Sequence, residues 1–161
     1  YKASTYKKVT WDDKPPSEEY FKELFRVSKN QIVWGANYFT MPPTKCFIVW
    51  RKPQISEGMS FSMLEYTWAS FNSTSKEYIR MSNEIDRIHP TQKPIALYKW
   101  LLKNYAKPGD RILDTHLGSG SSRIAAYEMG FNFVGCEIDK DYFEAQEQRW
   151  EHHISQMRIE M

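Results

Sequence analysis

A short glycine loop in the last third of the chain is the clearest candidate for chemistry. Gly118-Ser119-Gly120 stands between an apolar strand pattern and a helix pattern. Glycines at such a place let the backbone approach a ligand closely, with the first N–H groups of the helix nearby. Glu137 follows Gly118 by 19 residues and ends the next strand pattern, where a carboxylate can accept hydrogen bonds from a ribose diol. The spacing favours a nucleoside or nucleotide site over the alternative, a plain tight turn and a core strand.

The residues around the loop narrow the choice of ligand. A dinucleotide site would place a third glycine three residues after Gly120, and Arg123 stands there. This disfavours a nicotinamide-dependent oxidoreductase. The sequence also has no Gly-Lys-Ser/Thr phosphate loop. A nucleoside without phosphates fits better, and S-adenosylmethionine is the commonest cofactor of that kind.

A hexapeptide upstream of the loop resembles a family signature. Residues 89–94 match the His-Pro-Thr-Gln-Lys-Pro motif of DNA amino-methyltransferases letter for letter. Residues 112–121 resemble the Asp-Pro-Phe-x-Gly-Ser-Gly-Thr cofactor loop of the same family. Residues 34–39 and 135–139 resemble other segments of that family. The order of these motifs is that of the circularly permuted β group, in which the catalytic motif precedes the cofactor loop. The alternative for the hexapeptide alone is a loop that leads into a helix.

The resemblance implies an enzyme that transfers a methyl group from S-adenosylmethionine to an exocyclic amino group of DNA, with adenine N6 favoured over cytosine N4. It implies a single methyltransferase domain over residues 1–161, with the cofactor-binding half at residues 89–156. The implied partners are DNA, a second copy in a homodimer and a cognate restriction enzyme. We expect a cytoplasmic protein encoded by a bacterium or a phage.

Carried over residue by residue, the resemblance implies a set of cofactor contacts. The glycine loop would wrap the methionine moiety, Glu137 would bind the ribose hydroxyls, and Ile138 would flank the adenine ring. Lys93 would meet the carboxylate at the amino-acid end of the cofactor. The implied cofactor residues are Thr91, Lys93, Asp114, His116, Gly118, Ser119, Gly120, Glu137 and Ile138.

The chain departs from the family pattern at two places. Thr115 and His116 replace the usual Pro-Phe of the loop. The catalytic tetrapeptide, Asp/Asn/Ser-Pro-Pro-Tyr/Phe, is absent from the 161 residues, so the catalytic residues stay unknown. In the permuted order it would lie shortly before Tyr1, and we expect it there or in a missing loop. The alternatives are a decayed methylase that only binds cofactor or DNA, and a methylase of RNA or protein.

Candidates for DNA contacts are aromatic and basic. A methylase must extrude its target base and stack it on an aromatic ring, for which Trp34, Tyr38 and Phe39 are candidates. Lys99 and Lys103, one turn apart on a predicted helix, could meet phosphates. The alternatives are a hydrophobic core for the three aromatics and a solvated helix face for the two lysines.

Neither the histidines nor the cysteines indicate further chemistry. His152 and His153 are adjacent on a predicted helix and do not share a face, so we expect no metal site. The two cysteines are too few for a disulfide framework and suggest a reducing compartment. Cys136 falls in an apolar strand pattern, and we expect it to be packed in the interior.

The elements that would position the loop are clearest in the last third. The patterns predict strands at 111–114 and 132–137 and a helix at 121–129. A long helix follows from Asp139, with Phe143, Trp150 and Ile154 on its apolar stripe. This strand-helix-strand order predicts an α/β fold with a parallel sheet and helices on both faces. With the resemblance, we expect the Rossmann-like fold of S-adenosylmethionine-dependent methyltransferases, a mostly parallel sheet with one antiparallel hairpin edge.

The patterns of the first two thirds predict mainly strands. Residues 1–16 read as a polar arm, and Ser17 begins a helix of about twelve residues. Strands are predicted at 30–34 and 46–50, and at 61–71 paired with 77–81. A polar link at 83–87 leads to a helix at 94–104. The first helix would bury one stripe, formed by Tyr20, Phe21, Leu24 and Phe25.

Composition agrees with an ordinary folded domain. Of the 161 residues, 41% are hydrophobic and 26% charged, which excludes disordered and collagen-like proteins. No apolar run approaches the roughly 20 residues that a membrane helix needs, so we expect no membrane association. The net charge of +2 permits a nucleic-acid partner without requiring one.

Overall fold

The computed structural model of this chain describes residues 14–82 and 87–159. They divide into two compact units, the first ending at Met81 and the second beginning at Ser82. The predicted arm and the predicted link lie for the most part outside the described residues. The predicted cofactor-binding half falls within the second unit, and the assignment of both units to one domain stays a prediction.

The first unit has one α-helix, one short 3₁₀ helix (Ala36–Tyr38) and a four-stranded sheet. Helix α1 (Glu18–Val27) precedes β1 (Ile32–Trp34), β2 (Cys46–Arg51), β3 (Leu64–Ala69) and β4 (Lys76–Ile79). The strand order is β1-β3-β2-β4, with β3 antiparallel to both β1 and β2. Side chains of β2 alternate between the two faces, so Ile48 and Trp50 are buried while Phe47 is exposed.

The predicted pairing of β4 is wrong. It was expected beside β3, but it lies parallel to β2, with Val49 opposite Glu77. Both edges of β3 are already occupied by β1 and β2, so β4 takes the open edge of β2. Ser75 helps to start this pairing, because its hydroxyl accepts the Phe47 N–H at 3.0 Å.

Helix α1 begins as predicted but does not bury its stripe. Ser17 Oγ accepts the Tyr20 N–H at 3.3 Å, as an N-cap residue does. No residue of α1 is buried, and Phe25 is 37% exposed. Phe25 meets Trp68 edge to face at 5.8 Å between ring centres, so the predicted stripe packs on the sheet only in part.

The second unit is a strand-helix-strand unit with two further helices. Its elements in chain order are α2 (Ile95–Tyr105), β5 (Arg111–Asp114), α3 (Ser121–Glu128), β6 (Asn132–Gly135) and α4 (Lys140–Ile159). Strands β5 and β6 are parallel, so their carboxyl ends meet at one edge of the sheet. Helix α3 connects them and packs on α2 and β6. Over both units, two of the four described strand pairings are parallel and two are antiparallel. The antiparallel share is therefore larger than the single hairpin edge that the sequence predicts.

The buried stripe of α4 differs from the predicted one. Phe143 is 42% exposed, whereas Tyr142 and Gln146 are buried. Gln146 is a polar residue with partners: its Oε1 accepts from Arg123 at 3.1 Å, and its Nε2 donates to Glu147 at 2.8 Å. A hydrophobic pattern passes over such a residue, because its burial depends on hydrogen bonds and not on its own apolarity. Within the described ranges, no helix is long and apolar enough to span a membrane.

Candidate functional site

The carboxyl ends of β5 and β6 bring the glycine loop and the acidic residue together. The Cys136 N–H donates to the Asp114 carbonyl at 2.8 Å, and the Leu117 N–H donates to the Cys136 carbonyl at 2.9 Å. These two bonds prolong the strand pairing beyond β5 and β6. A Cβ at Gly135 would lie 2.9 Å from Leu117 Cδ1, so only glycine lets the loop close against β6 here.

Two left-handed glycines shape the loop. Gly118 has φ +52° and Gly120 has φ +72°, a region in which residues with a side chain are strained. Gly120 caps α3, because its carbonyl accepts the Ile124 N–H at 3.1 Å. A Cβ at Gly120 would stand 3.0 Å from Gln146 Oε1. The loop is therefore held close to α4 at the start of α3.

The carboxylate of Glu137, two residues after the end of β6, contacts the glycine loop. Its Oε2 accepts the Gly118 N–H at 2.7 Å, and its Oε1 accepts the Asp139 N–H at 2.9 Å. An ionised carboxylate has about four acceptor positions, so two remain for hydroxyl donors of a ligand. The side chain is half-buried, which leaves it accessible from one side.

Asp114 acts mainly on the loop itself. Its Oδ1 accepts the His116 N–H at 3.0 Å, and its Oδ2 accepts the Ser122 hydroxyl at 2.5 Å. The carboxylate thus bridges the end of β5, the loop and the first turn of α3. Thr115 and His116, which depart from the family pattern, lie 3.1 Å apart between Oγ1 and Nδ1, and His116 is exposed.

The hexapeptide forms a compact turn before α2. His89 and Gln92 are buried, and the Gln92 N–H donates to the His89 carbonyl at 3.1 Å. Gln92 Oε1 accepts the Ile88 N–H at 3.0 Å, which ties the start of the turn to its centre. Pro94 is buried and caps α2. Thr91 is exposed and Lys93 half-exposed, so the two predicted cofactor residues of the hexapeptide lie at the surface.

The ring of His89 joins the hexapeptide to the glycine loop. It meets the Tyr142 ring edge to face at 4.3 Å between centres. A Cβ at Gly118 would lie 3.5 Å from His89 Nδ1. Burial lowers the pKa of His89 below its ordinary value, which favours the neutral ring, while the charge of Glu137 opposes that shift. The structure thus brings His89 of the hexapeptide and Gly118 of the loop, 29 residues apart in sequence, together in the second unit.

Sequence reasoning missed one face of α4. Tyr142, Gln146 and Arg149 recur at helical spacing and all face the site. Arg149 Nη1 donates to the Ser119 carbonyl and to Ser121 Oγ, both at 2.8 Å. The spacing of these three residues was visible in the sequence, but two of them are polar and a search for an apolar stripe excludes them.

Two side chains beside Glu137 are open to solvent. Ile138 is 88% exposed, an unusual state for a large apolar residue and one that suits a partner ring. Cys136 is exposed, so its predicted interior packing is wrong. The reason lies in the alternation of side chains along the strand, because Cys136 continues the face of Val134, which is 54% exposed.

The predicted DNA-contact residues lie in both units. In the first unit, Tyr38 is 77% exposed, Trp34 is half-buried in β1, and Phe39 packs on Phe21 at 5.3 Å between ring centres. In the second unit, Lys99 forms an ion pair with Glu128, while Lys103 is exposed in the last turn of α2. His153 Nε2 stands 3.0 Å from Glu128 Oε1, without the alignment of a hydrogen bond. The roles toward DNA of the predicted residues, Trp34, Tyr38, Phe39, Lys99 and Lys103, stay predictions.

Comparisons with known proteins agree on one family. The family model described as DNA methylase, of the N6/N4 type, matches residues 5–148. The type II methyltransferase M2.DpnII of Streptococcus pneumoniae is 38% identical over 150 residues, which cover 89% of this chain and 50% of that protein. The chain therefore spans about half the length of this curated relative.

Two solved structures share the fold. The complex of M1.HpyAVI with S-adenosylmethionine (SAM) superposes with a TM-score of 0.50 at 28% identity, over 64% of this chain and 60% of that one. The PvuII cytosine-N4-specific DNA methyltransferase gives a TM-score of 0.52 at 14% identity, over 63% of this chain and 49% of that one. These likenesses confirm the predicted α/β fold of a methyltransferase.

Proposed function

This chain belongs to the family of N6/N4 DNA methylases, and from that premise we propose that its second unit binds S-adenosylmethionine. We propose further that the whole protein transfers the methyl group to an exocyclic amino group of DNA, with adenine N6 as the favoured acceptor. A homodimer and a cognate restriction enzyme are proposed on the resemblance alone.

The proposal rests above all on the junction of Gly118 and Glu137. The Gly118 N–H and Glu137 Oε2 are 2.7 Å apart, which sets the carboxylate against the loop. Its remaining acceptor positions suit the two adjacent hydroxyls of a ribose. Exposed Ile138 follows directly and offers an apolar surface to a purine ring. A nucleoside therefore matches the site in both polarity and sequence order.

The hexapeptide supports the other end of the same ligand. Lys93 is half-exposed beside a buried turn and can present its ammonium to a carboxylate. Thr91 is exposed on the same turn and can supply a hydroxyl. S-adenosylmethionine has a ribose, an adenine ring and an amino-acid end, and when bound it supplies an electrophilic methyl group on sulfur.

The transfer step concerns the whole protein. The methyl group would pass to the amine nitrogen, the bond from sulfur to methyl would break, and the amine would release one proton. Groups that accept the amine protons and aim the nitrogen lone pair are needed, because that lone pair is delocalised into the base. The family tetrapeptide with this role is absent from the 161 residues.

Calorimetry with S-adenosylmethionine tests the binding site. Glu137→Gln should weaken affinity by roughly 5- to 150-fold, since a charged acceptor contributes about 1–3 kcal/mol. Glu151→Gln is the matched control, because Glu151 is exposed on α4 and does not belong to the helix face formed by Tyr142, Gln146 and Arg149. Equal affinity of both variants and wild type would refute the assigned site.

Nucleoside mass spectrometry of DNA treated with the full-length protein tests the reaction. N6-methyladenine is the expected product, and N4-methylcytosine would correct the acceptor. Bound cofactor with no methylated base in varied DNA would indicate a decayed binding module. Methylation confined to RNA or protein in a competition assay would replace the proposed substrate.

A further inference from the structure

His89 occupies the interior of the candidate site, at the start of the hexapeptide. It is 5% exposed, and its ring packs edge to face on Tyr142 of α4. Gly118 of the loop lies close to the ring, because an added Cβ there would lie 3.5–3.6 Å from three atoms of the ring. The imidazole therefore fills the space beneath the left-handed turn of the glycine loop.

The hydrogen bonds of His89 indicate its protonation state. Nδ1 accepts the Thr91 N–H at 3.2 Å and lies 3.1 Å from Thr91 Oγ1. A nitrogen that accepts an N–H must present a lone pair, so the proton of the neutral ring resides on Nε2. This tautomer follows from the hydrogen-bond pattern. The neutral ring is thus the form that fits this turn.

We propose that His89 is a positioning residue for the cofactor, whose neutral ring couples the two parts of the site. Nδ1 orients Thr91, which precedes Lys93 on the exposed side of the hexapeptide. The ring supports Gly118, whose N–H in turn holds Glu137. This inference rests on the proposed function, because it assigns a role toward the same ligand.

Several charged groups near the His89 ring shift its pKa in opposite directions. Burial lowers the pKa of His89, as do the charges of Lys93 and Arg87, while Glu137 and Asp139 raise it. From α4, the facing group is the Tyr142 ring. Protonation would turn Nδ1 into a donor directed at the Thr91 N–H. Cofactor affinity should therefore decrease as acid protonates His89.

Two substitutions distinguish the contribution of the aromatic ring of His89 from that of its hydrogen-bond acceptor, Nδ1. His89→Phe keeps an aromatic ring beneath Gly118 but removes Nδ1, and His89→Asn keeps an acceptor near Nδ1 but removes the ring. Calorimetry of the full-length protein should show S-adenosylmethionine affinity about three- to tenfold weaker for His89→Phe, the range expected for one lost hydrogen bond. His89→Asn should bind more tightly than His89→Phe, although its melting temperature should be the lower of the two.

The pH profile gives a readout that packing alone would not change. The acid decrease of wild-type affinity should be missing in both variants, because the titrating ring is gone. Wild-type affinity for His89→Phe with an unchanged pH profile would overturn the inference. If wild type itself fails to bind S-adenosylmethionine, the proposed function fails instead, so the two failures are distinguishable.

A measurement on the unaltered protein covers the case in which a variant does not fold. Histidine labelled with ¹⁵N reports by NMR whether each ring nitrogen carries a proton. At neutral pH, Nδ1 of His89 should show the shift of an unprotonated nitrogen and Nε2 that of a protonated one. A proton on Nδ1 would overturn the inference without recourse to any variant.

Discussion

The two units of the chain keep different kinds of residue in their interiors. Of the eight buried polar residues in the described ranges, two lie in the first unit and six in the second. The six are His89, Gln92, Ser119, Ser121, Ser122 and Gln146. The large buried side chains of the first unit are instead apolar, Trp50 and Ile48 among them.

The interior of the first unit is thus mainly a packed apolar sheet, whereas the interior of the second unit contains the polar groups of the candidate site. Burying a polar group costs free energy unless a hydrogen bond replaces its water, so a concentration of such groups needs a reason. In the second unit the hydrogen bonds of Ser119, Ser121 and Ser122 lie at the glycine loop and the start of α3. Those of His89 and Gln92 lie in the hexapeptide turn beside it. Substitutions there should alter ligand affinity more than substitutions in the first unit, and the following predictions test that contrast.

The largest effect is expected at Gly118. Gly118→Val places a side chain in a left-handed conformation, which costs roughly 1–2 kcal/mol, and drives its γ-carbons against His89. We expect S-adenosylmethionine affinity to fall at least ~100-fold in calorimetry, since strain and steric block act together. Gly130→Val is the matched control, because Gly130 has φ +74° and an added Cβ there would have no atom within 4 Å. Equal loss in both variants would show that general strain, and not the loop, is responsible.

The next largest loss of cofactor affinity is expected at Arg149. Arg149→Met removes two hydrogen bonds to the loop, and we expect roughly tenfold weaker cofactor binding. Arg149→Lys keeps a donor and should recover part of the affinity. Lys140→Met removes a cation from an exposed position of the same helix and should leave affinity unchanged. A loss as large for Lys140→Met would indicate a nonspecific charge effect.

The first unit provides the converse test. Tyr38→Ala should leave S-adenosylmethionine affinity unchanged and weaken binding of DNA by roughly fivefold, the low end expected for one stacked base. Tyr38→Phe keeps the ring and should bind DNA as wild type does. Fluorescence anisotropy with labelled DNA measures both. Unaltered DNA affinity of Tyr38→Ala would remove Tyr38 from the DNA surface.

The smallest effect concerns pH and stability. Because burial lowers the pKa of His89, the unfolded state takes up a proton from about pH 6.5 downward, before the folded state does. The free energy of unfolding should therefore decrease below about pH 6.5, by no more than ~1.4 kcal/mol per pH unit, until the folded ring protonates. Urea titrations at several pH values should show a shallower decrease for His89→Asn. An identical decrease would assign the effect to other groups.

Prediction from the sequence succeeded where short-range signals decide structure. Strand β5 has the bounds that the apolar pattern predicted, and Ser17 caps α1 as its type and position indicated. The sequence spacing paired the glycine loop with Glu137, and the hydrogen bond from the Gly118 N–H to Glu137 shows that they meet, while their role toward a cofactor stays a prediction. The family motifs identified the hexapeptide.

The structural predictions that failed concerned features that depend on contacts between residues distant in sequence. The partner of β4 followed from which strand edges were open, a property of the assembled sheet. The inner face of α4 was missed because Gln146 and Arg149 are satisfied by groups on the loop and α3. The predicted burial of Cys136 was wrong because side chains alternate along β6 and Cys136 shares the exposed face of Val134, a face that the assembled unit leaves uncovered.

The exposed thiol of Cys136 makes the site directly observable. The chain has two cysteines, and the other, Cys46, is buried. A maleimide dye should therefore attach at a single position, immediately before Glu137, without any engineered change. Fluorescence from that dye would report occupancy of the neighbouring candidate site in real time, and protection of the thiol by a ligand would give an affinity without calorimetry.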